Sequence, residues 1–436
     1  MVFFTINKKY LILKLSFFLF DGGTSPINPF LPPIARQRGV SVFIVGIIFT
    51  CLPILNVLIR PIIGYVTDRW QCRRSVFLGC NLINAIITPV IHFIPGRSEA
   101  EKLAGTSLLE TFNFWLFLVV IMLRTVLYMI GDVLQDTIAI EVLGSESHKY
   151  GMQRVWGAIG WGLTSLLTGW CVDSYSAGQV QKNYLPAYLI STVLLTMHVI
   201  VGSQLKSQQQ NRQQINIFKD VGMVISNVKV VTYLIWVAVA GMFTAYIWYY
   251  LLWHMEEIAT YYHPERLPYI KTIQGFSYAI QCCIGEIPVF LMFSSIVKRI
   301  GHMKAFTISF GVFSFRFFLY SIIRDPLWML PVELLNGLTF TMAFLSGISY
   351  AAKVSPPGTE GTLQGLFGMA FQGVGIASGC FLAGYTFETM GSLSAMRFIS
   401  YIALFFCITQ FVVNILINSC IRFKVKSKLD IVAVQE

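Results

Sequence analysis

Residues 64–74 read GYVTDRWQCRR and follow an apolar run over 42–65. This short stretch holds one acid, Asp68, and three arginines, in a chain of 436 residues of which only 12 % are charged and 55 % are hydrophobic. Soluble proteins carry about 25 % charged residues, so this composition cannot cover a water-exposed surface. A basic cluster between two apolar runs therefore predicts a loop that joins two membrane-spanning helices.

The same arrangement repeats along the chain, where about 20 apolar residues suffice for one helical span of a bilayer. The composition and the runs predict an all-α membrane protein with twelve transmembrane helices. The twelve apolar runs cover roughly 10–34, 42–65, 75–95, 112–142, 151–173, 185–204, 229–253, 269–297, 305–323, 327–351, 361–386 and 395–421.

The distribution of basic residues predicts the orientation of these spans. An even number of spans places both termini on one side, and the loops and termini of that side hold twenty of the 32 lysines and arginines. The opposite side holds nine. By the positive-inside rule both termini are expected in the cytosol, and we favour the plasma membrane over an internal membrane.

One long polar break, over 205–228, interrupts the series of apolar runs. It predicts a cytosolic linker between an N-terminal six-helix half (1–204) and a C-terminal six-helix half with a short basic tail (229–436). Two pseudo-symmetric halves are typical of transporters that are built from repeats and bind their solute between the halves near the membrane midplane.

The stretch 64–74 resembles the signature loop of the major facilitator superfamily, which has a glycine, an acid, a basic residue and a basic pair at this spacing. The resemblance implies the major facilitator fold and a cytosolic gate motif. Gln71 stands where the family usually has a second glycine, and residues 298–304 (KRIGHMK) are a weaker echo at the equivalent loop of the second half. The gate residues are Gly64, Asp68, Arg69, Arg73 and Arg74.

Residues 150–162 (YGMQRVWGAIGWG) are similar to the start of span 5 in the lactose permease and in the animal major facilitator superfamily-associated domain proteins. In the permease the arginine of this stretch pairs with an acid of span 4, both hold the sugar, and a tryptophan stacks on the sugar ring. The resemblance assigns these roles to Arg154, Asp136 and Trp161. Independently, an acid inside a span costs roughly 2.5–3.5 kcal/mol and requires a partner.

Span 4 carries a polar stripe, because Arg124, Tyr128, Asp132 and Asp136 are spaced by four residues and so share one helix face. The stripe predicts a face toward an aqueous cavity and adds Arg124 and Asp132 to the candidate substrate-binding residues. A stripe that only locks the packing of helices stays open as the alternative. An ion pair between Asp21 and Arg60 in spans 1 and 2 is a further hypothesis.

In the second half, Glu286 resembles the glutamate of span 8 in the permease, and Arg316 resembles its arginine of span 9. Span 10 offers Glu333 and Asn336 on one helix face, whereas Thr339 stands where the permease has its proton-carrying glutamate. Candidates for proton coupling are therefore Glu286, Arg316, Glu333 and Asn336. A purely structural ion pair explains the same residues equally well.

Together these patterns predict a secondary transporter that moves a small polar solute, sugar- or nucleoside-like, by alternating access, with proton coupling left open. A proton-independent facilitative uniporter and a non-transporting membrane receptor or scaffold remain alternatives. The chain has no phosphate-binding loop, no metalloprotease motif and no nucleophile–base arrangement, so we expect no enzyme, cofactor or metal. The expected partners are the solute and the lipid bilayer, with coupling protons left open. We expect no nucleic acid as a partner.

Overall fold

The computed structural model describes residues 10–96, 108–179, 181–205, 228–354 and 360–433. The predicted linker over 205–228 lies almost wholly outside these ranges, so the division into two domains stays a prediction. We call the spans before this gap the N-terminal half and those after it the C-terminal half. Some side chains within the ranges also lie outside the description, those of Pro61, Asp68, Ser145, Ser147, His148, 360–362 and 417–433.

The described chain is helical without β-strands, and eleven of its helices are long and apolar enough to cross a membrane. The first predicted span consists of two helices with a turn between them. Helix α1 (Leu11–Thr24) ends before a turn that contains Pro26 and Pro29, and α2 (Leu31–Gln37) begins after it. Proline lacks the N–H group that a continuous helix would use, which explains the break.

The other spans follow in chain order. In the N-terminal half they are α3 (Val42–Arg69), α4 (Arg73–Phe93), α5 (Phe112–Leu143), α6 (Tyr150–Tyr175) and α7 (Leu185–Gly202). In the C-terminal half the described chain has six spans, built from the helices α8 (Val228–Ala245), α9 (Leu251–Tyr262), α10 (Ile270–Ala279), α11 (Ile287–Ile300), α12 (His302–Ile322), α13 (Met342–Val354), α14 (Glu360–Gly368), α15 (Ala377–Met390) and α16 (Ser392–Ala433).

Four spans of the C-terminal half contain a π-helical segment, at Tyr246–Tyr250, Ile280–Glu286, Gly337–Thr341 and Met369–Ile376. A 3₁₀ segment, Pro326–Asn336, precedes the third. A π-helical turn holds one extra residue, so it rotates the side chains that follow it, and such turns occur frequently at functional sites. Pro288 follows the second segment and supplies no N–H group to it.

The outer surface of the bundle is apolar. Large side chains such as Leu58, Ile86, Val119 and Phe405 are about 60 % exposed. A soluble monomer rarely exposes so much contiguous apolar surface, whereas a lipid-facing surface requires it. The protein is accordingly a multi-pass membrane protein.

The two halves meet along two helix pairs, α3 with α15 and α6 with α10. Small residues let these backbones approach closely. Gly46 lies against Gly384, where an added Cβ would be 2.9 Å from the Gly384 Cα, and a Cβ at Gly275 would lie 2.7 Å from the Ser165 carbonyl oxygen. Within the N-terminal half, α1 packs between α6 and α7. Van der Waals contact through small residues is the usual basis of helix association in lipid.

The loop between α3 and α4 contains a backbone conformation that favours glycine. Gln71 has a φ of +47°, and every other positive φ in the described chain belongs to a glycine. A side chain in this left-handed region costs about 1 kcal/mol or more. The position at which the family usually has its second glycine therefore keeps the glycine-like backbone although the residue is glutamine.

The close packing of α1 on α6 can be tested with two glycines of the same helix. A Cβ at Gly160 would overlap the Phe18 carbonyl oxygen, whereas a Cβ at Gly151 would meet no atom within 4 Å. We expect Gly160→Ala to lower the free energy of unfolding by about 1–3 kcal/mol. Gly151→Ala should instead raise it, by up to about 1 kcal/mol, since alanine favours helix.

Thermal unfolding of the two variants in the same detergent measures this difference. Equal melting temperatures for both variants would contradict the packing described for Gly160.

Candidate functional site

A cavity of about 300 Å³ lies between the two halves. The N-terminal half contributes residues of α1, α3, α5 and α6, and the C-terminal half contributes its π-helical segments and their neighbours. Four charged side chains line it, those of Asp21, Asp132, Arg154 and Glu286. Its position between the halves agrees with the site expected for a repeat-built transporter.

All four π-helical segments contribute to the wall of this cavity. They supply Trp248 and Tyr249, then Gln281, Cys282 and Glu286, then Phe340, and finally Phe371, Gln372 and Ile376. The extra residue in each segment is thus placed where the helix faces the cavity. Indole and phenol rings mixed with a few polar groups are typical of small-molecule sites.

The predicted pair between spans 4 and 5 forms. Arg154 donates from Nη1 to Asp136 Oδ1 over 2.5 Å, and the Tyr150 hydroxyl donates to the same oxygen over 2.6 Å. Arg154 and Trp161 line the cavity, whereas Asp136 is not among the described residues that do. Asp136 therefore acts on the cavity through Arg154, whose guanidinium it orients. Tyr150 was not predicted, although it opens the span-5 motif.

The polar stripe of span 4 does not face the cavity over its whole length. Tyr128 and Asp132 line the cavity. Arg124 is fully buried and donates to Asn28 Oδ1 over 2.5 Å and to Thr88 Oγ1 over 3.3 Å. Its contacts within the described chain join α5 to the segment after α1 and to α4. For Arg124 this agrees with the alternative in which the stripe locks the packing of helices.

Arg60 is paired differently from our hypothesis. Its Nη2 lies 3.5 Å from Asp132 Oδ2, and no Arg60–Asp21 ion pair is present among the described residues. Arg60 also donates to Asn56 Oδ1 over 3.1 Å, and Asn56 in turn donates to Gln372 Oε1 over 2.6 Å. This chain of contacts links the two halves across the cavity.

In the C-terminal half, Arg316 and Glu333 form a completely buried ion pair. Arg316 Nη2 donates to Glu333 Oε2 over 2.5 Å, and both side chains have no exposed surface. Glu333 also accepts hydrogen bonds from Tyr320 over 2.6 Å and from Gln281 over 2.5 Å. Every oxygen of this carboxylate is therefore satisfied inside the protein, as a buried ion pair requires.

Asn336 connects this ion pair to the cavity. Its Oδ1 accepts from Arg316 Nη1 over 2.7 Å, and its Nδ2 donates to Glu286 Oε1 over 2.8 Å. Thr339 accepts a second bond from Arg316 Nη1 over 2.9 Å. All four predicted residues of this half thus lie in one network, but only Glu286 lines the cavity.

Two residues of the gate motif, Arg73 and Arg74, contact other elements of the N-terminal half, and Arg69 contacts its own helix. Arg69 donates to the Tyr65 hydroxyl over 2.7 Å, Arg73 forms an ion pair with Glu141, and Arg74 donates to the Ser203 carbonyl. A Cβ at Gly64 would meet no atom within 4 Å. The side chain of Asp68 lies outside the part of the chain that the structure describes.

At the end of the bundle away from the termini, polar contacts join the two halves. Asp173 Oδ2 accepts from the Thr272 backbone N–H over 2.6 Å and from its hydroxyl over 2.8 Å. Lys182 donates to the Pro268 carbonyl oxygen over 2.6 Å, and Arg36 lies 3.7 Å from Glu256. We call this set of contacts the outer clasp.

Sequence reasoning missed several polar residues of the site, among them Asn56, Gln281, Tyr320 and Gln372. A usable signal was present, because each interrupts an apolar run, and Asn56 precedes Arg60 by four residues. Each also has a partner on another helix, and that pairing depends on tertiary structure.

Comparison with known proteins assigns the chain to one family. The profile of the family described as "MFS_1 like family" matches residues 10–417. The chain is 24 % identical over 393 residues to the "Uncharacterized transporter YwbF" of Bacillus subtilis, covering 88 % of each chain. It is 22 % identical to the maltose permease of Geobacillus stearothermophilus, covering 86 % of each.

An amphibian relative and a solved structure extend this comparison. The "Major facilitator superfamily domain-containing protein 6-like protein B" of Xenopus laevis is 21 % identical over 245 residues, which are 54 % of this chain and 38 % of that protein. A crystal structure of the nucleoside transporter NupG superposes with a TM-score of 0.75 at 17 % identity, covering 93 % of this chain and 99 % of the other. The likeness shows a common fold.

The buried ion pair of the C-terminal half generates a prediction about stability. Arg316→Met leaves the Glu333 carboxylate buried without its cation, so the free energy of unfolding should fall by about 3–5 kcal/mol. The matched change Arg60→Met removes a partner of Asp132 from a pair whose arginine is 37 % exposed. That change should cost no more than about 1 kcal/mol.

Thermal unfolding in detergent compares both variants with the unmodified protein. The double change Arg316→Met with Glu333→Gln should recover part of the loss, because it removes the orphaned charge. A melting temperature of Arg316→Met equal to that of the unmodified protein would contradict a structural role for this pair.

Proposed function

We propose that this chain, which belongs to the MFS_1 like family, is a secondary transporter. It moves a small polar solute through the cavity between its halves. The observation that carries the proposal is the cavity itself, lined by charged and aromatic residues from both halves. A protein that only holds partners at its surface has no need of desolvated charges at its centre, since each costs free energy. This argues against the receptor or scaffold alternative.

The lining favours a sugar- or nucleoside-like solute. Arg154 presents a guanidinium that Asp136 and Tyr150 orient, and hydroxyl groups accept charge-assisted hydrogen bonds from such a group. Trp161 offers an indole face in the same cavity, on which a sugar ring or base can stack. The names of two similar proteins, a maltose permease and a nucleoside transporter, are consistent with this class of solute.

Alternating access follows from the position of the outer clasp. In the proposed orientation both termini are cytosolic, so the clasp closes the extracellular side of a plasma-membrane protein. The contacts of Asp173 with Thr272 and of Lys182 with Pro268 join the two halves and must separate when the cavity opens outward. The halves would then rock about α3–α15 and α6–α10, where small residues permit sliding.

The contacts of Glu286 and Glu333 show which of the two is better suited to carry a coupling proton. Glu333 is held by Arg316, Tyr320 and Gln281, whereas Glu286 accepts one described hydrogen bond, from Asn336, and faces the cavity. If transport is proton-coupled, Glu286 is the carrier that we propose. Uptake that ignores an imposed pH gradient would instead identify a facilitative uniporter.

Counterflow in proteoliposomes tests the transport proposal without requiring any gradient. Vesicles are preloaded with an unlabelled polar metabolite extract and challenged with the same extract in uniformly isotope-labelled form. We expect mass spectrometry to find at least one labelled solute that accumulates. Asp136→Asn should reduce its accumulation at least tenfold, since the neutral amide no longer holds the Arg154 guanidinium in place.

Glu146→Gln is the matched control, because it also turns a carboxylate into an amide but lies in the loop after α5, beside Lys149. Its counterflow should equal that of the unmodified protein. Unchanged accumulation by folded Asp136→Asn would remove Asp136 from the site, and absence of exchange for every solute by folded unmodified protein would overturn the transport proposal.

A further inference from the structure

Two carboxylates that line the cavity have no cationic partner within 4.0 Å among the described residues, Asp21 on α1 and Glu286 in the π-helical segment before α11. Glu286 accepts a single described hydrogen bond, from the neutral Asn336 amide. The Asp21 carboxylate accepts none from the described chain, where only its backbone carbonyl is bonded, by Ser25 and Thr24. Each half of the described protein thus contributes to the cavity one carboxyl group that has no cationic partner within 4.0 Å.

The other charges near the cavity already neutralise one another. Asp136 has Arg154 at 2.5 Å, Asp132 has Arg60 at 3.5 Å, and Glu333 has Arg316 at 2.5 Å. Arg154 lies within Coulomb range of Asp21 as well, but it shares its charge among Asp21, Asp132 and Asp136. With three carboxyl groups and two arginines described on this side, one carboxyl group has no arginine of its own.

Arg124 does not supply the missing counter-charge. It is bonded to the neutral groups of Asn28 and Thr88, does not line the cavity, and is not among the charges that act on Asp21. In the C-terminal half, Arg316 is committed to Glu333, Asn336 and Tyr320. Asp21 and Glu286 therefore have no cationic partner of their own among the described residues of the cavity wall.

The position of Asp21 depends on a glycine in the neighbouring helix. The carboxylate lies directly against Gly157 of α6, where any Cβ would overlap Asp21 Oδ2. Gly157 lines the cavity beside it and is three residues after Arg154. Cys282, one turn before Glu286, also lines the cavity and lies within Coulomb range of both carboxylates. Asp21 and Glu286 therefore act on the same small volume.

A carboxylate in a low-dielectric site is costly unless a positive charge accompanies it. A bound cation would remove this cost for both groups, and the rings of Trp161, Trp248, Tyr249 and Tyr278 in the same wall would add cation–π attraction. We propose that Asp21 and Glu286 form a cation subsite, and that the transported solute carries a protonated amine in addition to the hydroxyl groups that Arg154 binds. This inference rests on the proposed function.

A proton and an ammonium group each neutralise a carboxylate. Glu286 can therefore bind a coupling proton at one stage of transport and the ammonium group of the solute at another. The subsite also sets a preference among solutes. A neutral solute would leave both carboxylates uncompensated in the closed cavity, and an anionic one would add repulsion. Amine-bearing solutes are therefore expected to bind in preference to neutral analogues of the same size.

Counterflow with the labelled polar metabolite extract tests this subsite when the solutes that exchange are sorted by their charge at pH 7. With unmodified protein we expect the exchanging solutes to carry an amine. Asp21→Asn and Glu286→Gln, which preserve side-chain shape, should each lower their exchange at least tenfold. Asp325→Asn is the control. The Asp325 carboxylate lies in the loop before span 10, 3.5 Å from Arg266, and does not line the cavity.

The outcomes separate the subsite from the transport proposal. Exchange confined to neutral or anionic solutes overturns the cation subsite and leaves the transporter assignment intact, and this readout needs no variant. Exchange of amines that both folded variants retain overturns the assignment to Asp21 and Glu286. No exchange of any solute by folded unmodified protein overturns the proposed function, and the subsite falls with it.

Discussion

Ion pairing inside the membrane is the constraint on which the arrangement of this protein depends. A charge in a lipid-embedded helix costs several kcal/mol unless another helix supplies its partner. Asp136–Arg154 joins α5 to α6, Asp132–Arg60 joins α5 to α3, and Glu333–Arg316 joins the 3₁₀ segment of span 10 to α12. The two close pairs, Asp136–Arg154 and Glu333–Arg316, fix the rotation of their helices about the helix axes, and with it the side chains that face the cavity.

The two halves use this constraint differently. In the C-terminal half, Arg316 and Glu333 are fully buried, and Tyr320, Gln281, Asn336 and Thr339 complete their hydrogen bonds. In the N-terminal half, the side chains of Arg154 and Asp136 are 39 % and 33 % exposed. The Arg154 guanidinium has nitrogen atoms left to donate to a solute, whereas every guanidinium nitrogen of Arg316 donates within the protein. The C-terminal half contributes to the cavity instead through Glu286 and the rings on its π-helical segments.

The two halves must also move relative to each other, and the structure combines close packing with breakable contacts for this purpose. Glycines at α3–α15 and α6–α10 bring backbones together without interlocking side chains. The outer clasp is made of individual polar contacts such as Asp173–Thr272 and Arg36–Glu256, which water can replace when they separate. Apolar interdigitation at the same place would resist this opening, because separating it exposes apolar surface.

The sequence by itself determined the helical membrane architecture, because apolar runs and loop charges are recorded in residue order. The pair Asp136–Arg154 is predicted from the resemblance of residues 150–162 to a known motif, together with the need of an acid inside a span for a partner. Only the tertiary structure decided which polar residues meet. Arg60 reaches Asp132 rather than Asp21, and Arg124 bonds Asn28 and Thr88 instead of lining the cavity. These outcomes depend on helix rotation, which the packing of all spans sets together. Spacing along one helix predicts a shared face, but it carries no information on which neighbour that face meets.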